Sequence, residues 1–351
     1  MSHAFHSSFE IGGRLVGSGQ PAYVIAEAGA NHNRDLGMAR ELIDVAADAG
    51  ADAVKFQTYT GKDLYSSKTP DFEYLDDERS PQELLDAIAL PREWQAELAE
   101  HAAARGIHFF SSPFDREAVD QLAELGVPAL KIASFEIVDT PLIEHAASTG
   151  IPLIISTGMA TYGEIEDALG AADDGGADRV ALLRCASVYP AEPEIMNLRA
   201  METMRRAFGV PVGLSDHTLG ISVPTGGAAL GMELLEKHFT LSRELEGPDH
   251  PFALEPDELK ALVRSVREVE SALGNGRLEG PSEEESKEMY RLARRSVIAA
   301  VDIPAGTVIE RQLLTVKRPG YGVKPRDIDL LVGRTARVDI EFDDVISWDM
   351  V

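Results

Sequence analysis

The sequence is 351 residues long, 44% hydrophobic and 26% charged, with a formal net charge of −26 at pH 7. These values suit a globular protein with one large and one small domain; the charge speaks against a nucleic-acid partner but leaves an anionic small substrate open, because local site charge outweighs the total. A single cysteine, Cys185, excludes an internal disulfide, and there is neither a basic start followed by an apolar stretch nor any apolar segment of roughly 20 residues, so a reducing, cytoplasmic setting with no membrane partner is expected.

In chain order, residues 22–273 repeat one unit: a short apolar run, a polar cluster, then an amphipathic stretch of helical period. The runs are Tyr23–Ala26, Ala53–Phe56, His108–Phe110, Ala129–Ile132, Pro152–Ile155, Val180–Leu183, Val212–Leu214 and Leu234–Leu235. Ala39–Ala49, Trp94–Ala104, Pro141–Ala147 and Leu259–Leu273 carry the helical period between them. Strands alternating with helices pair in parallel, and such strands read as unbroken apolar runs because both faces are covered. Eight repeats in about 250 residues predict a (β/α)8 TIM barrel. The open doubly wound sheet is the alternative, but the first turn, Glu27 to Asn33, lacks its glycine-rich fingerprint. The expected barrel domain, with an N-terminal cap, covers residues 1–285.

Barrel catalysis sits where the C-terminal strand ends converge. The first polar residues after the runs are Glu27; Lys55 and Gln57; Ser111 and Ser112; Lys131, Ser134 and Glu136; Ser156 and Thr157; Ser187 and Tyr189; Ser215, Asp216 and His217; Lys237 and His238. Three lysines, several hydroxyls, two histidines and a few carboxylates suit a phosphorylated, carboxylated substrate beside a metal. A lone lysine after a strand is ordinarily a solvated loop charge. Lys55 and Lys131 differ, since they stand in apolar strands where an unpaired ammonium is costly. His217 and His238 end neighbouring strands, so their rings can converge on one ion and leave coordination positions open. Glu27 borders the last strand after closure, as a general base or as an orienter of metal-bound water. Asn31-His32-Asn33 reads equally well as a plain turn.

After Leu273, glycines and a charged helix precede a β-type pattern from about Arg294. There Val301-Asp302-Ile303 to Val308-Ile309 is echoed by Val338-Asp339-Ile340 to Val345-Ile346, which suggests related halves of one small fold. Residues 294–351 form the second expected domain, small enough to need packing against the barrel. A basic loop, Lys317-Arg318-Pro319-Gly320, lies between the halves and suits an anion or a polar sugar.

These segments together resemble the sialic acid synthase family. The residues that carry the resemblance are Ile25 to Asn33, Ala53 to Gln57, Lys131 to Glu136, Ser156 to Met159, Tyr189-Pro190, Gly213 to Thr218, Glu236 to Thr240 and Gly247 to His250. The tail resembles that family's antifreeze-like (SAF) domain, β-rich and of β-clip type. The resemblance implies a domain-swapped homodimer and a divalent metal, usually manganese, with magnesium or cobalt as substitutes. It implies His217 and His238 as metal ligands; Lys55, Gln57, Ser112, Lys131, Ser134, Ser156, Ser187 and Ser215 around phosphoenolpyruvate; and Tyr189 and Asp249 near the sugar. Arg318 corresponds to an arginine that the partner subunit sends to the sugar.

The implied reaction joins phosphoenolpyruvate to a 2-acetamido six-carbon sugar, giving a nine-carbon 2-keto acid and phosphate. Leu241-Ser242 and Pro91 to Trp94 look like the pseudaminate synthases, whereas Gly247 to His250 and Lys317 to Gly320 look like the neuraminate and legionaminate group. The reading adopted is the neuraminate type, with an N-acetylmannosamine-type sugar. The competing classes are a metal-dependent aldolase or isomerase on the same barrel, and a sugar-binding protein without catalysis.

Overall fold

A computed structural model of the chain describes residues 5–70 and 79–351, which divide into two compact units, residues 1–274 and 275–351. The first unit opens with a hairpin, β1 (Ser8–Ile11) and β2 (Arg14–Gly17). Eight parallel strands follow: β3 (Tyr23–Glu27), β4 (Ala53–Thr58), β5 (His108–Pro113), β6 (Leu130–Ile132), β7 (Leu153–Ser156), β8 (Val180–Cys185), β9 (Val212–Asp216) and β10 (Leu234–His238). They are hydrogen-bonded in the order β5-β4-β3-β10-β9-β8-β7-β6. The two end strands, β5 and β6, are consecutive in the chain and lie side by side, so the sheet is a nearly closed barrel. Each predicted apolar run contains or overlaps one of these strands.

Apart from their C-terminal ends the strands are largely apolar, because helices cover the outside. In the helix Leu36–Asp48, Ala39, Leu42, Ile43 and Ala46 are buried, the spacing of a single helical face. Asp35 caps it by accepting the Met38 N–H at 2.9 Å. In the helix Pro256–Leu273, Leu259, Leu262, Val263 and Val266 play the same part. The hairpin buries Ile11 and Val16 in the same core, and its tip at Gly12 lies against His108, the first residue of β5. It therefore closes the N-terminal end of the barrel. At that end Arg14 and Arg267 pair with Asp52, Arg267 at 3.2 Å. Asp52 also accepts the Val24 N–H at 2.7 Å, and Glu270 accepts that of Ala22 at 2.7 Å.

The second unit contains β11 (Ser296–Ala299) and β12 (Leu314–Lys317), paired antiparallel. Its echoed halves meet through the same residue of each repeat. Ile303 and Ile340 exchange both backbone hydrogen bonds, at 2.7 and 2.9 Å. Asp302 accepts the N–H of Phe342 at 2.7 Å, and Asp339 accepts that of Ala305, also at 2.7 Å. Each aspartate thus caps the turn of the other half. Val297, Ile303, Ile309, Leu331, Ile340 and Ile346 fill a core of its own. Among the described residues no helix is long and apolar enough to cross a membrane.

Candidate active site

Side chains alternate along a strand, so residues two apart share a face. On β10, Glu236 and His238 point into the barrel. Their register partners are Ser215 for Glu236 on β9 and Glu27 for His238 on β3. Glu27 in turn lies opposite Lys55, and Gln57 opposite Ser112. Parity and register therefore gather the C-terminal residues of non-consecutive segments into one buried polar layer.

Two ammonium groups dominate that layer. Lys55 Nζ lies 2.8 Å from Glu27 Oε2, 3.9 Å from Glu236 Oε2 and 3.1 Å from Ser112 Oγ. Lys131 Nζ donates to Ser156 Oγ at 2.7 Å and to the Ile132 carbonyl at 3.0 Å, and lies 3.8 Å from Glu236 Oε2. Burial alone would lower Lys55, but Glu236 and Glu27 outweigh it and hold its pKa above the ordinary value. Lys131 faces Glu236 alone at such range, and burial brings its pKa down. It is the less compensated cation of the pair. Burial would raise Glu236, yet Lys131 and Lys55 pull it below the ordinary carboxylate value. Glu27 moves the other way, raised by burial despite Lys55. Gln57 donates to Glu27 Oε1 at 3.2 Å and Ser215 to Glu236 Oε1 at 3.2 Å.

Beside the lysines, Ser134, Ser187 and Gly158 form a tight cluster. The Gly158 N–H donates to Ser134 Oγ at 3.1 Å. A Cβ on Gly158 would stand 2.1 Å from Ser187 Oγ, so only glycine lets the backbone approach so closely. Ser187 Oγ is buried and has no hydrogen-bond partner among the described residues.

The two histidine rings lie 5.3 Å apart, centroid to centroid. His217 Nδ1 donates to the Ala186 carbonyl at 2.8 Å, an assignment that leaves Nε2 with its lone pair. His238 Nδ1 is buried without a hydrogen-bond partner among the described residues, 3.7 Å from Asp249 Oδ2. Burial, with His217 and the lysines nearby, pushes the His238 pKa well below its ordinary value, so the ring is neutral. Two imidazoles at this spacing are within reach of one ion, for metal–nitrogen bonds of about 2.1 Å. No group of three His, Cys, Asp or Glu ligands assembles among the described residues. A divalent ion therefore fits as a guest of two histidines, with further positions left for water or substrate. Gly29, at φ +52°, makes room for this corner, since a Cβ there would meet Asp249 Oδ2 at 2.6 Å. The Tyr189 ring packs over His217 at 4.1 Å while remaining 45% exposed.

Asn31 donates to the Phe239 carbonyl at 2.8 Å, and Asn33 to that of Glu246 at 2.9 Å. The Asn31-His32-Asn33 turn thus braces the loop that carries Asp249.

The structure corrects readings at several strand ends: Lys237, Asp216 and Ser111 face away from the mouth. Lys237 is not a third lysine of the mouth. Strand β10 continues to His238, so alternation turns Lys237 outward to Asp216, at 2.6 Å. Ser111 likewise faces outward, bonded to Thr58 at 2.7 Å. One inward residue received no role from the sequence. Glu236 lies just past the apolar run Leu234–Leu235, and its position two residues before His238 puts it on the same face. Of the predicted residues, Glu27, Lys55, Gln57, Ser112, Lys131, Ser134, Ser156, Ser187, Tyr189, Ser215, His217, His238 and Asp249 lie at the C-terminal end of this barrel. Arg318 belongs to the second unit.

Residues 42–278 match the profile of the NeuB family, and residues 294–351 that of the SAF domain. The chain is 40% identical over 343 residues to the N,N'-diacetyllegionaminic acid synthase of Legionella pneumophila, covering 95% of this chain and 96% of that one. It is 38% identical over 329 residues to the pseudaminic acid synthase of Campylobacter jejuni, covering 93% and 95%. Its fold is similar to the crystal structure of an N-acetylneuraminic acid (sialic acid) synthetase from Leptospira borgpetersenii in complex with citrate. The TM-score is 0.71 and the identity 36%, covering 81% of this chain and 96% of that one.

Proposed function

Because the chain belongs to the NeuB family of sialic acid synthases, we propose that it condenses phosphoenolpyruvate with a 2-acetamido six-carbon sugar. The observation that carries this reading is the pair of buried ammonium groups, Lys55 and Lys131, beside the paired rings of His217 and His238. An isolated buried cation is costly, and a doubly anionic ligand would relieve that cost. Lys131, Lys55 and the hydroxyls of Ser112, Ser134, Ser156, Ser187 and Ser215 take the phosphate and carboxylate of phosphoenolpyruvate, with Gln57 alongside. Tyr189 and Asp249 border the sugar.

His217 and His238 would hold a divalent ion, manganese by preference, which supplies Lewis acidity toward the oxygen of the open-chain aldehyde. In the reaction, C3 of phosphoenolpyruvate forms a bond to the aldehyde carbon, whose oxygen gains a proton and becomes a hydroxyl. Positive charge developing at C2 is quenched by water, and the C2–O bond to phosphate then breaks. A 2-keto acid and inorganic phosphate remain. Lys55 and Lys131 offset the anionic charge throughout. Glu27, a buried carboxyl with a raised pKa, takes the proton of the attacking water.

The sugar we assign is of the N-acetylmannosamine type, giving an N-acetylneuraminate-type product. The likeness to the legionaminic acid synthase favours, as a second reading, a 6-deoxy diacetamido sugar with the same mechanism. We also propose a domain-swapped homodimer in which Arg318 serves the sugar bound to the partner subunit. The test is to mix the protein with phosphoenolpyruvate, manganese and a panel of 2-acetamido sugars. Phosphate release that depends on one sugar is expected. Retention of phosphate with every sugar, N-acetylmannosamine and the diacetamido sugars included, would favour an aldolase, an isomerase or a non-catalytic sugar binder.

A further inference from the structure

Directly behind the two histidines, on the outer face of the barrel, lies a buried ion pair that the proposed chemistry does not use. Lys237 and Asp216 are register partners across β9 and β10, each immediately preceding a histidine. Their side chains are 1% and 0% exposed, and Lys237 Nζ meets Asp216 Oδ2 at 2.6 Å. The same ammonium donates to the Thr218 carbonyl. The Thr218 hydroxyl closes the knot, 3.0 and 3.1 Å from the two Asp216 oxygens. Lys237 is thus fastened on both sides of His217, to the side chain of Asp216 and to the carbonyl of Thr218. The next bond outward, from the Ala191 N–H to the His217 carbonyl at 3.0 Å, ties in the loop that carries Tyr189.

Stability alone does not call for ions here. Desolvating two charges costs several kcal/mol per ion, and apolar pairs of similar volume commonly serve as well or better. At the corresponding level of β4 and β5, the outward contact is the neutral bond between Thr58 and Ser111, joined by Gln95. What an ion pair adds is registry, since a slip of either strand would strand a buried charge. We propose that Asp216 and Lys237 are positioning residues that set the separation of His217 and His238, and thereby the affinity of the site for a divalent ion. The proposal rests on the reading of those histidines as ligands.

The test uses the full-length Asp216→Leu/Lys237→Met double variant and titrates manganese alone by calorimetry, without substrates. Manganese binding should weaken on the order of 10- to 100-fold, the usual effect of removing support behind a metal ligand. The unfolding midpoint of the metal-free variant should stay at or above that of the parent. Phosphoenolpyruvate affinity should change by less than about twofold, since Lys55 and Lys131 stand on other strands. A folded double variant that binds manganese as tightly as the parent overturns the proposal. If the double variant does not fold, Asp216→Asn, of nearly equal volume, replaces it under the same criterion. A parent protein that takes up no manganese, or a His217→Ala variant that binds it normally, overturns the ligand reading itself and the positioning role with it.

Discussion

The two ends of the barrel are both dense in charge, and they use it in opposite ways. At the N-terminal end two carboxylates have fixed partners: Asp52 receives Arg14, Arg267 and a backbone N–H, while Glu270 receives Arg267 and the N–H of Ala22. At the C-terminal end two ammonium groups share Glu236 at 3.8 and 3.9 Å, and Ser187 Oγ and His238 Nδ1 lack hydrogen-bond partners among the described residues. A closed network holds strands together, whereas an open one awaits a ligand. The contrast matches the division of labour in barrels, with stability at the bottom and chemistry at the top.

Substitutions at the open end should destroy activity and spare the fold. The largest loss is expected from His217→Ala and His238→Ala, with no turnover detectable and circular dichroism unchanged. Excess chelator should abolish wild-type turnover, and manganese should restore it. Full activity in chelator would break the two-histidine site.

Next in size come Lys55→Met and Lys131→Met. Each should lower kcat/KM for phosphoenolpyruvate by about 100- to 1000-fold, the scale seen when one charge-stabilising donor is removed. The exposed Lys260→Met provides the control, and equal effects at all three positions would erase the distinction between mouth and surface. At the closed end the pattern should invert. Asp52→Ala should destabilise the protein by about 2 to 3 kcal/mol, less than a fully buried pair because Arg14 and Arg267 stay about a third exposed. Steady-state kinetics below the melting transition should show both KM values unaltered.

Smaller effects sharpen the account. Arg318→Ala should raise the sugar KM by about tenfold, on the order of one lost charged hydrogen bond, and spare phosphoenolpyruvate. Mixed with an inactive Lys131→Met subunit, it should restore activity if confirmed heterodimers form, because the arginine is proposed to act in trans. A pH dependence is expected at Glu136, whose carboxyl burial raises from 4.5 to about 7. The folded chain then keeps a proton that the unfolded chain releases. Its contribution is fully present below pH 4.5 and is lost as pH rises through about 7. Glu136→Gln should flatten the denaturation midpoint across that window, by up to about 3 kcal/mol; an unchanged slope would assign the dependence to other groups.

The barrel was legible because parallel strands covered on both faces write themselves as apolar runs. The hairpin Ser8–Ile11 and Arg14–Gly17 was not resolved into strands, since four-residue elements with mixed exposure carry little periodicity. Most of the mouth was legible for the same reason as the barrel: polar residues stood where apolar runs stopped. The same rule misled at β10. Reading the strand as ending at Leu235 placed Glu236, Lys237 and His238 together in a loop, where all three could face the substrate. They belong to the strand, and alternation splits them. Alternation with His238 places Glu236 inward, but its part as the shared counter-charge of two lysines from other strands is a contact that no local pattern contains.

The central claim, carbon–carbon bond formation with loss of phosphate from C2, can be tested by isotope. Phosphoenolpyruvate labelled with heavy oxygen at the bridging position, turned over with the accepted sugar, should release phosphate that carries the label. Unlabelled phosphate would mean cleavage between phosphorus and oxygen, and would contradict the account.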